Sequence, residues 1–122
     1  MKKYNIGFLA FLLIMVINHT HAQLPASTRT EQFSNNQVKV WKTVIYPNNR
    51  QALPMHRHHH DRVVVALTNG VLKITTNSGK THYLKLEKDK AYYLSKDPKH
   101  ELHTDENMGH SPVKVMVIEL KK

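Results

Sequence analysis

Ten histidines stand in a chain of 122 residues that has no cysteine, and their spacing is uneven. His56, His58, His59 and His60 fall within five residues, and His100 and His103 within four. In an extended strand residues i and i+2 share a face, so His56 and His58 point one way while Arg57 points the other. A second strand carrying His100 opposite them would complete a facial set of three imidazoles. Such a set, with positions left open for water or substrate, suits a divalent transition metal: Zn, Fe, Ni, Cu or Mn. His60 and Asp61 are further candidate ligands. His59 should face away if the strand runs straight, and His103, by alternation with His100, should point away from the site.

Other chemistries are largely closed. Without cysteine there is no disulfide, no thiol nucleophile, no thiolate-bound zinc or iron-sulfur cluster and no lipidated N-terminal cysteine. No GxSxG occurs and the serines lie in turn-like segments, so no serine triad can be assigned. A bound metal would instead polarise an oxygen-bearing substrate, or activate water or O₂. Tyr83, Tyr92 and Tyr93 are candidates to bring a hydroxyl into the cavity, against the commoner role of strand tyrosines in packing. Trp41 reads as core.

The elements that must position these residues are strands. Short apolar runs at 38–46, 52–58, 62–68, 71–76, 81–87, 91–95, 100–104 and 113–120 recur about every 8 to 12 residues, the rhythm of an all-β sandwich or barrel. Asn69-Gly70 between two runs is the pair favoured in a type I′ hairpin. Asn77-Ser78-Gly79-Lys80 marks the next turn, and residues 107–112 a longer loop before the last strand. Val63-Val64-Val65-Ala66-Leu67 is apolar on both faces, so one face should fill the barrel and the other meet a second sheet or a partner subunit. A homodimer is therefore expected.

The chain starts differently. Lys2 and Lys3 precede an apolar run from Ile6 to Ile17 and a polar exit ending at Ala22, the three-part pattern of a bacterial export signal, with Gln23 as the mature N-terminus. Twelve apolar residues span roughly 18 Å as a helix, too short for a roughly 30 Å hydrocarbon core, so no stable membrane anchor is expected after cleavage. The organisation expected is a signal peptide at 1–22, a linker or arm at 23–36 and a β-barrel at 37–122, destined for the periplasm or secretion. Lys2 and Lys3 are two of 18 basic residues and no acid precedes Gln23, so removal lowers the net charge from +9 to +7. The remaining lysines are spread along the strands instead of forming a patch. That distribution argues against a specific nucleic-acid partner and leaves a small-molecule ligand or substrate as the expected partner.

These residues resemble the cupin superfamily of small β-barrels. Its first motif runs Gly, five residues, HxH, three or four residues, Glu, six residues, Gly. Its second runs Gly, five, PxG, two, His, three, Asn. His56-Arg57-His58 matches the HxH and Gly70 the closing glycine, while Arg50 replaces the opening glycine and Val63 stands at the glutamate that binds metal in the family. In the second motif Ser95, Asp97 and His100 stand at the PxGxxH positions, with Thr104 at the final Asn. The resemblance spans roughly 38–120 and is to small single-domain, type-2-like cupins. It implies an all-β jelly-roll barrel whose metal site is His56, His58 and His100 without the glutamate, and a cavity flanked by Val63. Three readings follow. One is an exported metallo-cupin that binds or transforms a small organic molecule. Another is a non-catalytic cupin, metal-bound or metal-free, that binds or senses a ligand. The last is a basic protein whose histidines act as a pH-dependent charge.

Overall fold

A computed structural model describes residues 2, 3, 17, 25–48 and 51–122. Except for Lys2, Lys3 and Ile17, the expected export signal lies outside the described residues. Among these residues nine strands are present: β1 (Thr28–Ser34), β2 (Val38–Ile45), β3 (Leu53–His56), β4 (Arg62–Ala66), β5 (Gly70–Thr76), β6 (Thr81–Leu86), β7 (Ala91–Leu94), β8 (His103–Asn107) and β9 (Val113–Leu120). Among the described residues there is no α-helix. The strands form two antiparallel sheets, ordered β1-β2-β9-β4-β7 and β3-β8-β5-β6. The fold is an all-β jelly roll.

Period-2 patterning decides what each strand buries. On β9, Val113, Val115 and Val117 are buried while Lys114 is exposed. On β4, Val64 and Ala66 enter the core beside Val117 and Val115, their partners across the ladder. Ile45, Leu53, Leu72 and Leu86 close the same core from the other strands. Burying a Val, Leu or Ile side chain contributes about 1.5–3 kcal/mol, so this shared interior is what holds the two sheets face to face. The opposite face of β4 carries half-buried Val63 and Val65, opposite Ile118 and Met116 of β9. The run that is apolar on both faces thus has one face in the core and the other on the outside of its sheet.

Each expected run has a strand counterpart, and three details differ. Residues 28–34, read as part of a linker or arm, form β1, an exposed strand paired with β2. Its sequence TRTEQFS buries nothing, so hydrophobic periodicity could not reveal it. Asn69-Gly70 does not turn a hairpin: β4 and β5 lie in different sheets, and Gly70 carries no positive φ. The glycine is required by close approach, since a Cβ there would lie 2.3 Å from Val113 Cγ2. The hairpin is the next turn, between β5 and β6, where Gly79 adopts φ 85° and Thr76 Oγ1 accepts from Lys80 N at 3.1 Å. Finally, the strand expected at 100–104 begins three residues later, at His103.

Candidate metal centre

Two segments meet at one end of the barrel. His56 is the last residue of β3, and its Cα partner on β8 is His103, the first residue of that strand. The chain then loops through His58 before β4 starts at Arg62. Asp97, in the loop after β7, fixes this loop from both sides. Its carboxylate accepts from His58 N at 2.7 Å, and its own N–H donates to His58 O at 2.9 Å. Arg57 Nε adds a bond to Pro98 O at 3.1 Å. His58 therefore turns inward although it lies outside any strand, and it is 8% exposed. Alternation along β8 buries both His103 and Asp105 on the same face.

The result is a cluster of three imidazoles, His56, His58 and His103, whose ligand atoms lie within 4.8 Å of one another. His56 Nε2 and His58 Nε2 are 3.2 Å apart, and the ring centroids of His56 and His103 are separated by 4.4 Å. The nitrogens facing away from the cluster are held by acceptors. His56 Nδ1 lies 2.6 Å from Pro54 O, and His103 Nδ1 lies 3.3 Å from Asp97 Oδ2. Acceptors at Nδ1 place the ring proton there and leave Nε2 as a lone pair directed into the cluster. Metal-binding histidines are ordinarily arranged in this way. The donor set thus fits the divalent metal that the fold implies, with His56, His58 and His103 as the residues that would hold it.

Electrostatics favour the neutral form at His58 and His103. The His58 pKa is pushed down to about 2, first by burial and then by the Arg62 guanidinium and the neighbouring imidazoles. Burial also lowers His103, against the opposing pull of Asp105 and Asp97. A neutral imidazole is the form that binds metal.

Not every residue singled out in the sequence reaches this cluster. His56 and His58 do. His100 does not: it is exposed, in the turn before β8, at φ 66°. His103, expected to point away, takes its place. The parity argument assumed a strand already running at residue 100, whereas a turn occupies 99–100 and alternation starts at 103. The signal that would have found this is Pro98. Counting the second motif from that proline puts His100 at its glycine, where a positive φ is natural, His103 at its histidine and Asn107 at its asparagine. Asn107 is buried and bridges loops, donating to Ile45 O at 2.9 Å and Ser111 O at 2.8 Å.

The remaining candidates have other places. His60 is outside the cluster, half-buried in the loop before β4. Asp61 accepts from Tyr93 Oη at 2.5 Å and Lys96 N at 2.8 Å, and these bonds hold its carboxyl below the usual range while raising the Tyr93 phenol. Val63 lies on the outer face, so it flanks no cavity. The inward neighbour is Arg62, whose Nη1 donates to Ser95 O at 3.0 Å and whose Nη2 lies 3.7 Å from Asp97. Tyr92 packs against the core, its hydroxyl accepting from Glu87 N, and Tyr83 and Tyr93 are exposed at the rim of a cleft.

Two spaces adjoin the cluster. A void of about 60 Å³ inside the barrel touches His56, His58, Arg62 and Asp105, with apolar walls that include Leu72 and Val117. It admits a few water-sized groups and no more. A cleft of about 300 Å³ reaches Arg62, Asp97 and His103 from the side of Tyr83 and Tyr93.

No protein-family model and no curated protein matches the sequence. Solved structures do. A cupin domain from Bordetella pertussis Tohama I is 26% identical, covers 83% of this chain and 99% of its own, and superposes with a TM-score of 0.68. A conserved protein with a double-stranded β-helix domain from Klebsiella pneumoniae gives 16% identity, coverage of 82% and 81%, and a TM-score of 0.60. An RmlC-like cupin family protein from Methanocaldococcus jannaschii gives 12%, 78% and 80%, and 0.58. At the lower identities the likeness concerns fold alone. The fold of this chain is that of the cupins, a double-stranded β-helix.

Proposed function

We propose that this protein is an exported cupin that holds one divalent transition metal at His56, His58 and His103 and binds a small oxygen-bearing organic molecule beside it. The observation that carries this reading is the pair of capped rings. Pro54 O and Asp97 hold the outer nitrogens of His56 and His103, so lone pairs converge where a cation would sit. When bound, the metal would supply Lewis-acid polarisation of a ligand oxygen. The protein's own contribution is to fix the imidazoles and to offer the Arg62 side of the cleft to an anionic group on the ligand. Apolar walls of the inner void exclude bulk water from the opposite side.

Export is supported by Lys2-Lys3 and the apolar run that follows, and a homodimer by the outward Val63, Val65, Met116 and Ile118 on one sheet face. Elemental analysis of untagged protein, followed by titration with Zn(II) and Co(II), tests the central claim. One equivalent of bound metal is expected, abolished by His56→Ala together with His58→Ala. Absence of any transition metal before and after loading would remove the reading. Periplasmic fractionation tests export, and a monomer by sedimentation at micromolar concentration would end the dimer.

A further inference from the structure

The carboxylate that the cupin pattern expects after the HxH pair is missing from this chain. At that point β4 offers Arg62 on the inner face and Val63 on the outer. Asp61, the nearest acid, is engaged by Tyr93 and Lys96. Yet a carboxylate does reach the cluster from another strand. Asp105 Oδ2 lies 3.3 Å from His56 Nε2 and 3.6 Å from His103 Nε2.

We propose that Asp105 is the fourth protein ligand, so that the anionic donor of this site comes from β8 in place of β4. The proposal rests on the metal reading above and deepens it. Metal bonds to imidazole and carboxylate of about 2.0–2.2 Å put neighbouring donor atoms roughly 3.0 Å apart in an octahedron and roughly 3.4 Å apart in a tetrahedron. Three of the separations among these donors are close to that size, 3.2 Å from His56 Nε2 to His58 Nε2, 3.3 Å from His56 Nε2 to Asp105 Oδ2 and 3.6 Å from His103 Nε2 to Asp105 Oδ2, in a cluster whose imidazole ligand atoms lie within 4.8 Å of one another.

The polar pairing points the same way. In the neutral form, His56 and His103 engaged at Nδ1 by Pro54 O and Asp97 have no hydrogen at Nε2 to give to Asp105. A buried carboxylate oxygen then faces two lone pairs, an arrangement that is costly unless a cation stands between them. Alternation along β8 puts His103 and Asp105 on one strand face, opposite His56 at the end of β3. Three imidazoles and one carboxylate give the site one negative ligand charge, which offsets the nearby guanidinium of Arg62. That guanidinium senses Asp105 as well as Asp97.

The test is calorimetric titration of the full chain with Co(II) alone, together with the absorption spectrum of the Co(II) form. Asp105→Asn should weaken binding at least ~100-fold and shift the visible bands, whereas Asp105→Glu should retain most of the affinity. Equal affinity and an unchanged spectrum in Asp105→Asn would overturn the proposal while leaving the metal reading intact. Failure of the wild-type chain to bind Co(II) would instead defeat the reading beneath it. Should Asp105→Asn not fold, proton NMR of the Co(II)-loaded wild type decides. A coordinated aspartate gives a strongly contact-shifted, non-exchangeable pair of β-methylene signals, and their absence would end the proposal.

Discussion

Residues 56–62 and 97–107 build one site by opposite routes. The first segment leaves a strand: His56 closes β3, and His58 is turned inward by the hold of Asp97 on its backbone N–H. The second enters a strand, through a turn whose end decides which side chains face the barrel. There Asn77, in the β5–β6 hairpin, donates to His100 O and pairs with Leu102 through both backbone and side chain. These bonds fix where β8 begins. The donor pair at i and i+2 thus depends on a carboxylate from the loop after β7, and the phase of the strand opposite is set by a latch from a different hairpin.

The comparison breaks most readily at its third imidazole. His103→Ala should lower metal affinity at least ~100-fold, matching the loss in the His56/His58 double variant, while His100→Ala should bind as wild type. Titration of both variants with Zn(II) checks this, and the reverse pattern would move the site to the turn. Asp97 joins the two segments, since it touches His58 N, His103 Nδ1 and the Arg62 guanidinium. Asp97→Asn should therefore weaken metal binding ~10–100-fold, with competition titration as the measurement. An effect on thermal stability without one on affinity would reduce Asp97 to a loop tether.

Acid should separate the buried histidines from the exposed ones. His58 has its folded pKa depressed to about 2 from an ordinary 6.5, so the unfolded chain takes up the proton first. The stability from keeping His58 neutral is whole above pH 6.5 and is lost as pH falls through the window toward 2. At pH 5 the loss from this residue is about 2 kcal/mol, and His103 adds to it with the same sign. Urea melts of the metal-free protein between pH 7 and 5 measure the loss, and a flat profile would contradict it. The smallest effect belongs to the turn. His100 sits at φ 66°, a conformation that costs a residue with a Cβ about 1 kcal/mol. His100→Gly should stabilise by up to that amount, read by the same melts, without changing metal affinity.

Much of this fold was legible because burial has a period of two. The run 113–120 is β9 as expected, the run at 62–68 contains β4, and the run at 71–76 lies within β5. β1 was hidden because an edge strand with seven exposed residues leaves no pattern. Asn69-Gly70 misled because turn chemistry and tight packing both call for glycine, and only the position of Val113 tells them apart. The candidate site divides in the same way. Alternation expected His56 and His58 together, but β3 ends at His56 and it is Asp97 that turns His58 inward, whereas Val63 was placed at the cavity because the length of the loop after His58 is not written in any periodicity.

By itself the sequence determined that this chain makes short strands, that it has no thiol chemistry, and that imidazoles and carboxylates are its available metal donors. These follow from composition and from the alternation of side chains along an extended backbone, which are local properties. Only the tertiary structure decided that His103 and Asp105, not His100, face His56 and His58, and that a guanidinium stands where a carboxylate was expected. Those outcomes depend on where loops end and which strands lie opposite, distances across the barrel that no residue encodes alone.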